Sequence, residues 1–286
     1  MKKLLLASVT MPTLVAGSAL AADRAVRPPV YRAPPPVAAP IFTWTGFYIG
    51  ANAGWVGSTG NTVTNVGTDT GPGGLGAALA VGGIPAAIDL GYSGFIGGGQ
   101  IGYNWQISPI WVIGVETDIQ GANTKSTLSS TVIPGAVPVT VPVTTNASRE
   151  LDWLGTFRGR LGVTPASPLL FYATGGLAYG KRRLGIGVVA PAGNPPANTF
   201  NEASSTKAGW TVGGGVEWKF ASNWSVKAEY LYVDLGTNSS TIFYTYDISR
   251  PSGPFTSSIT ASIRDRENIV RAGINYTFGG PVYAAY

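Results

Sequence analysis

The chain of 286 residues contains no cysteine and no histidine, and only 12% of its residues are charged. Without cysteine no disulfide can close the fold, so closure falls to backbone pairing, and no thiolate can serve as nucleophile or ligand. Without histidine the usual zinc sites and imidazole acid–base chemistry are excluded as well. No catalytic residue, metal site or cofactor is expected. The sequence also lacks any window approaching the roughly 18 uninterrupted apolar residues of a membrane helix, so a bilayer can be crossed only by strands. Its basic residues form no patch with interleaved aromatics, and nucleic acid is not expected as a partner.

What is abundant is glycine, at 40 residues, together with 13 tyrosines and 8 tryptophans. The N-terminus has the make-up of a signal peptide: Lys2 and Lys3, an apolar run from Leu4 to Val15 interrupted by Pro12, then Ala19-Leu20-Ala21. Residues 1–21 are read as that leader, cleaved after Ala21. Residues 22–43, with Pro28-Pro29 and Pro34-Pro35-Pro36, lack the periodicity needed to bury a face and read as an extended periplasmic spacer. Residues 44–278 carry the strand pattern, and 279–286 form a short tail.

The pattern is clearest from Gly209 to Leu235. Trp210, Val212, Gly214, Val216, Trp218 and Phe220 alternate with Thr211, Gly213, Gly215, Glu217 and Lys219. After Ala221-Ser222-Asn223 the period resumes, Trp224, Val226, Ala228, Tyr230 and Tyr232 against Ser225, Lys227, Glu229 and Leu231. Period two over this length means two strands and a tight turn. One file is apolar with aromatic ends and the other holds small and charged residues, the arrangement of a strand whose outer surface is lipid. A lipocalin-like soluble barrel would place these files the other way round.

The same alternation recurs in Trp44–Gly57, Phe95–Gln106, the stretch from Trp111 to Gln120, Leu151–Val163, Leu169–Gly180 and Asn268–Phe278. Between them, short turns alternate with four long segments: Thr59–Ser93, Asn123–Ser148, Lys181–Lys207 and Gly236–Asp265. The first reads as a loop; a helix within Leu75–Ile88 is opposed by Gly82-Gly83 and Pro85. The second can fold back as β extensions above the membrane, its prolines at edges. The expected fold is therefore all-β: an eight-stranded antiparallel up-and-down transmembrane barrel with short periplasmic turns and four long extracellular loops.

With the short turns periplasmic, Trp105, Trp111, Phe171, Trp218, Phe220, Trp224, Tyr276 and Phe278 fall at the periplasmic end, and Trp55, Trp153, Tyr179, Trp210 and Tyr232 at the other. The eight steps from Trp210 to Trp218 span roughly 20 Å across a tilted wall, the spacing of two aromatic girdles. The inward files carry Glu116, Asp118, Asp152, Arg158, Arg160, Glu217, Lys219, Lys227, Glu229 and Arg271. Eight strands enclose only enough room for side chains, so these charges are expected to interlock as ion pairs in the lumen. Gly97, Gly99 and Gly102 satisfy G-x-G-x-x-G, but they sit inside a strand with no helix after it; inward Gly98 and Gly102 instead make room for bulky neighbours.

The segments Trp44–Gly50, Leu170–Gly180 and Trp224–Tyr232 resemble the small outer-membrane β-barrel family of α-proteobacteria, a group of surface antigens and their rhizobial relatives. The resemblance covers the leader, the spacer and all eight strands, but not the loops. It implies an OmpA-like barrel in the outer membrane of a Gram-negative cell, of the kind called porin-family without an agreed substrate. The family usually closes on an aromatic residue; here the matching Phe278 is followed by Gly279 to Tyr286, leaving Phe278 and Tyr286 as alternative assembly signals. The expected function is structural and surface-exposed, contributing to envelope integrity. A narrow diffusion channel for small solutes and an adhesin or receptor acting through the loops stand as alternatives. The partners expected are outer-membrane lipid and lipopolysaccharide, the barrel assembly machinery, and host or surface ligands at the loops, with a monomer as the oligomeric state.

Overall fold

A computed structural model describes residues 43–135, 141–166, 168–192, 196–247 and 254–278. The leader, nearly all of the spacer and the C-terminal tail lie outside them. Eight strands close one antiparallel ring: β1 (Gly46–Ser58), β4 (Ser93–Gln106), β5 (Trp111–Val132), β6 (Val143–Ala166), β7 (Leu169–Ala190), β8 (Ala197–Lys219), β9 (Trp224–Tyr246) and β10 (Phe255–Phe278). The segment between β1 and β4 adds β2 (Thr62–Asp69), helix α1 (Leu75–Ala80) and β3 (Ala87–Asp89). Each ring strand pairs with its sequence neighbour, and β10 returns to β1 from Phe47↔Phe278 to Ser58↔Glu267. Closure leaves no strand edge in the membrane part, where an unpaired N–H or C=O would have no water to bond.

The files are sorted as their chemistry requires. Phe47, Ile49, Trp55, Phe157, Leu161, Trp210 and Val270 are exposed on the outer surface, whereas Glu116, Arg158, Lys227, Glu229 and Arg271 are buried within. Inward glycines make room for bulky neighbours: a Cβ on Gly102 would stand 2.4 Å from the Tyr48 hydroxyl, and one on Gly215 2.7 Å from that of Tyr172.

The segments between the short turns are as long as expected, but most of their length is wall. β5 and β6 stay paired as far as Val132↔Val143, β7 and β8 as far as Ala190↔Ala197, and β9 and β10 as far as Tyr246↔Phe255. In these extensions the alternation inverts. Val143, Ala147, Leu184, Ile186, Val188, Ile242, Ile259 and Ile263 now face inward in one buried apolar cluster, while Thr127, Ser129, Ser204 and Thr206 face out. Outside the bilayer the outer surface meets water, so the barrel reverts to the ordering of a soluble sheet.

The segment 59–92, expected as a loop, is a folded plug. After a break at Gly60 (φ 96°), β2 continues the wall against β10, from Thr64↔Ser262 to Asp69↔Ser257. Then α1 and β3 turn inward, burying Leu75, Ile84, Ile88 and Leu90 against the apolar cluster of the mouth. The helix forms despite the sequence argument against it because Asp69 caps it from a distance, its carboxylate accepting from the N–H groups of Gly76 (2.9 Å) and Ala77 (2.7 Å). It ends at Gly82, whose φ of 78° allows the left-handed turn.

Candidate functional site: the filled lumen

The interior is built in layers that can be followed along single strands from the periplasmic end upward. At the floor Trp44, Val112, Leu170 and Tyr172 pack together. Lys219, expected in the charge network, belongs here: its ammonium bonds the Thr43 carbonyl and lies 4.9 Å from the Trp44 ring centroid.

Above the floor lie four carboxylates and four cations, all buried. Glu116 accepts from the Tyr48 hydroxyl at 2.7 Å, from Lys227 Nζ at 2.8 Å to both oxygens, and from Arg158. Asp118 Oδ2 takes Arg158, Arg271 and Thr156 at 2.8 to 2.9 Å. Glu229 bonds Arg158 at 3.0 Å and Arg271 Nε at 2.8 Å. Glu217 bonds Arg160 at 2.8 Å, with Ser225 at 2.6 Å and Asn275 at 2.8 Å on its other oxygen. The Arg160 guanidinium also covers the Tyr172 ring at 3.9 Å. Charges buried this deeply are tolerable only when paired and hydrogen-bonded, and equal numbers of each sign meet that condition.

Asp152 is not among them. A register irregularity between Leu151 and Trp153 in the β6–β7 ladder inserts an extra residue, so Leu151 turns inward. Asp152 pairs instead with Arg183 at 2.9 Å and Lys181 at 3.6 Å, both part-exposed. A bulge of this kind reverses the facing of everything beyond it, which strict alternation does not anticipate.

Next comes an apolar layer of Val56, Ile96, Leu151, Leu154, Ala178, Leu231, Val233 and Ile269. Over it lies a second charge cluster that the sequence reading missed: Arg149, Arg182, Asp265 and Glu267, each no more than 1% exposed in its side chain. Arg149 bonds Asp265 at 2.7 Å; Arg182 bonds Glu267, and also the Tyr92 hydroxyl at 2.7 Å. Arg182 is the inward neighbour of outward Lys181 and Arg183, the one signal in the sequence that sets it apart from a loop residue. The plug's apolar core closes the stack. At its rim Tyr244 and Tyr246 stack at 5.4 Å, and burial raises both phenols above their ordinary pKa.

On the outer wall, aromatics stand at two heights. Phe47 and Phe278, Tyr103 and Trp105, Trp218 and Phe220, and Trp224 and Tyr276 meet at ring distances of 4.5 to 6.0 Å near the periplasmic ends of their strands. Trp111 and Phe171 lie in the same row, joined across Val163. Toward the other end are Trp153 with Tyr179 and Trp210 with Tyr232, at 5.9 and 5.4 Å, and Trp55 beside Phe95. Among the described residues no group of three or more acidic side chains is placed to hold a metal.

A family model for the outer membrane protein beta-barrel domain matches residues 36–278. The 31 kDa outer-membrane immunogenic protein of Brucella melitensis is 38% identical over 239 residues, covering 82% of this chain and 88% of that protein. The 22 kDa outer membrane protein of Rhizobium leguminosarum bv. viciae is 31% identical over 183 residues, 63% of this chain and 66% of that one. Among solved structures, the outer membrane protein OprG of Pseudomonas aeruginosa aligns at a TM-score of 0.41 and 10% identity, over 83% of this chain and 99% of that one. With a family match over the whole strand-bearing region and a relative 38% identical over 82% of the chain, the chain belongs to the outer membrane protein β-barrel family and is an outer-membrane protein of a Gram-negative cell.

Proposed function

We propose that this protein is a sealed structural barrel of the outer membrane, contributing to envelope integrity and presenting its extensions at the cell surface. The observation that carries this reading is the continuous interior stack, from Trp44 and Leu170 through the Glu116 network, the Leu154 layer and the Arg182 cluster to Ile84 and Ile88 of the plug. A side-chain column with alternating charged and apolar layers gives a hydrated solute no continuous polar path, so the reading disfavours the narrow porin alternative. The absence of histidine and cysteine and the pairing of the buried carboxylates with cations favour a non-enzymatic role.

In cells, the test is a deletion strain challenged with detergent and large hydrophobic antibiotics. Heightened sensitivity is expected, restored by the full chain and not by a chain whose lumen charges are disrupted. Unchanged sensitivity would remove the envelope role.

A second reading, contact with other surfaces, draws on Phe200, Phe243 and Val66, which are 61 to 68% exposed on the extracellular wall. Exposed apolar side chains mark an interaction site where they gather into one patch. The immunogenic naming of the Brucella relative fits a surface seen from outside the cell. Phe200→Ser with Phe243→Ser is expected to weaken binding of any extracellular partner while the barrel folds normally; binding indifferent to both changes would leave the extensions without that role.

A further inference from the structure

Two places on the outer wall share one construction. In the first, Gly236, at φ 75°, forms a bulge in β9 where the pairing with β10 shifts between Arg264 and Arg266. Its N–H bonds Asp234 Oδ1 at 2.9 Å, turning Oδ2 toward two guanidiniums: Arg264 Nε and Nη2 at 3.2 and 2.9 Å, and Arg266 Nε at 3.3 Å. Directly across the ladder from Asp234 is Trp210, packed on Tyr232. In the second place, the β6–β7 irregularity sets Asp152 between Arg183 and Lys181, and Lys181 is the ladder partner of Trp153, packed on Tyr179. Glu150 adds a second carboxylate there, 3.8 Å from Arg183, and Lys125 a third cation opposite Glu150. Each place thus holds one more cation than carboxylate, immediately outside a Trp–Tyr pair.

Stability does not account for the surplus. Lys181, Arg183, Arg264 and Arg266 are 37 to 56% exposed while Asp234 is only 3% exposed, and an ion pair whose cation stands in solvent contributes little to stability. What the shared carboxylate does achieve is to hold two cationic side chains together on the outer face, engaging only some of their N–H donors and leaving both part-exposed. Paired cations of that kind, two guanidiniums in the first place and a guanidinium with an ammonium in the second, suit the oxygens of a phosphate group. Trp–Tyr pairs settle where acyl chains give way to headgroups, so the cations stand at headgroup height in the outer leaflet.

We propose that these two bulge-built cation clusters are clamps for the phosphate groups of an outer-leaflet glycolipid. The aromatic pair rests beside the base of the acyl chains, and the preset cations replace the counterions of the headgroup. The inference goes beyond the structural role proposed above and does not depend on whether the barrel conducts.

The test uses full-length protein refolded in phosphocholine vesicles and titrated with bis-phosphorylated lipid A, reading tryptophan fluorescence. The wild type is expected to bind, and R264Q/R266Q and K181Q/R183Q each to weaken binding roughly tenfold or more, while R264K/R266K, which keeps the charge, retains most of it. Dephosphorylated lipid A is expected to bind the wild type no better than the phosphorylated form binds a variant carrying all four Gln substitutions. Heat-modifiable gel mobility confirms that each variant is folded, and the paired variants carry the test if the fourfold one is not. Undiminished affinity in both paired variants would overturn the proposal, as would equal affinity for the dephosphorylated lipid. Displacement by equimolar inorganic phosphate would overturn the lipid assignment in favour of a free anion.

Discussion

Tyr48, Arg158, Arg160 and Lys227 all direct a donor or a positive charge at Glu116, from three different strands. Truncating it leaves buried Lys227 without the carboxylate it bonds and takes one partner from Arg158 and from Arg160, a loss of about 3 to 5 kcal/mol for the breaking of a buried pair. Denaturant unfolding of the refolded barrel in lipid should register Glu116→Ala at that magnitude. Glu217→Ala should cost more than Glu202→Ala, because Glu217 is buried against Arg160, Ser225 and Asn275 whereas Glu202 is exposed. Equal effects at 217 and 202 would mean that the lumen bonds contribute nothing to stability. Gly102→Ala tests the space itself: the new methyl meets the Tyr48 ring, so overpacking of about 1 to 3 kcal/mol is expected, with loss of the Tyr48–Glu116 bond.

At the scale of elements, the plug hangs on Asp69, which caps α1 and accepts from the Ser257 hydroxyl of β10. Asp69→Ala is expected to cost about 0.5 to 2 kcal/mol locally and to expose segment 59–92 to protease, while the eight-strand ring keeps its heat-modifiable mobility. Protection equal to the wild type would show that the plug is held by its apolar core alone. This element also marks where sequence reading stops. The membrane part was legible because lipid outside and charge inside write opposite chemistries onto alternate residues, as in Trp210 to Lys219. Above Trp153 and Trp210 the wall has water outside and Ile186, Ile242 and Ile259 inside, so a pattern sought with apolar residues outward finds none and returns a loop. Asp152 escapes the alternation for a related reason: the bulge beside it changes the facing of the strand without changing its composition. Arg149, Arg182, Asp265 and Glu267 fell in segments read as loops or at their boundaries, and the contacts that join them run between residues 85 and 116 positions apart for Glu267–Arg182 and Asp265–Arg149.

For the molecule as a whole, the two halves of the barrel are stabilised by different means. In the bilayer, backbone closure and balanced lumen charge hold it; in the water above, an apolar core does, with the plug supplying its centre. Unfolding should therefore separate under agents that act on one half, with urea releasing the plug at lower concentration than it opens the ring. A single coincident transition by fluorescence and by gel mobility would mean that the halves unfold together. The proposed seal is that the stacked layers leave no conducting path, and single-channel recording of the purified, refolded protein in planar bilayers checks it. Bilayers with no reproducible current steps are expected from protein that gel mobility shows to be folded; steady, uniform conductance from the same preparation would mean that the lumen is open.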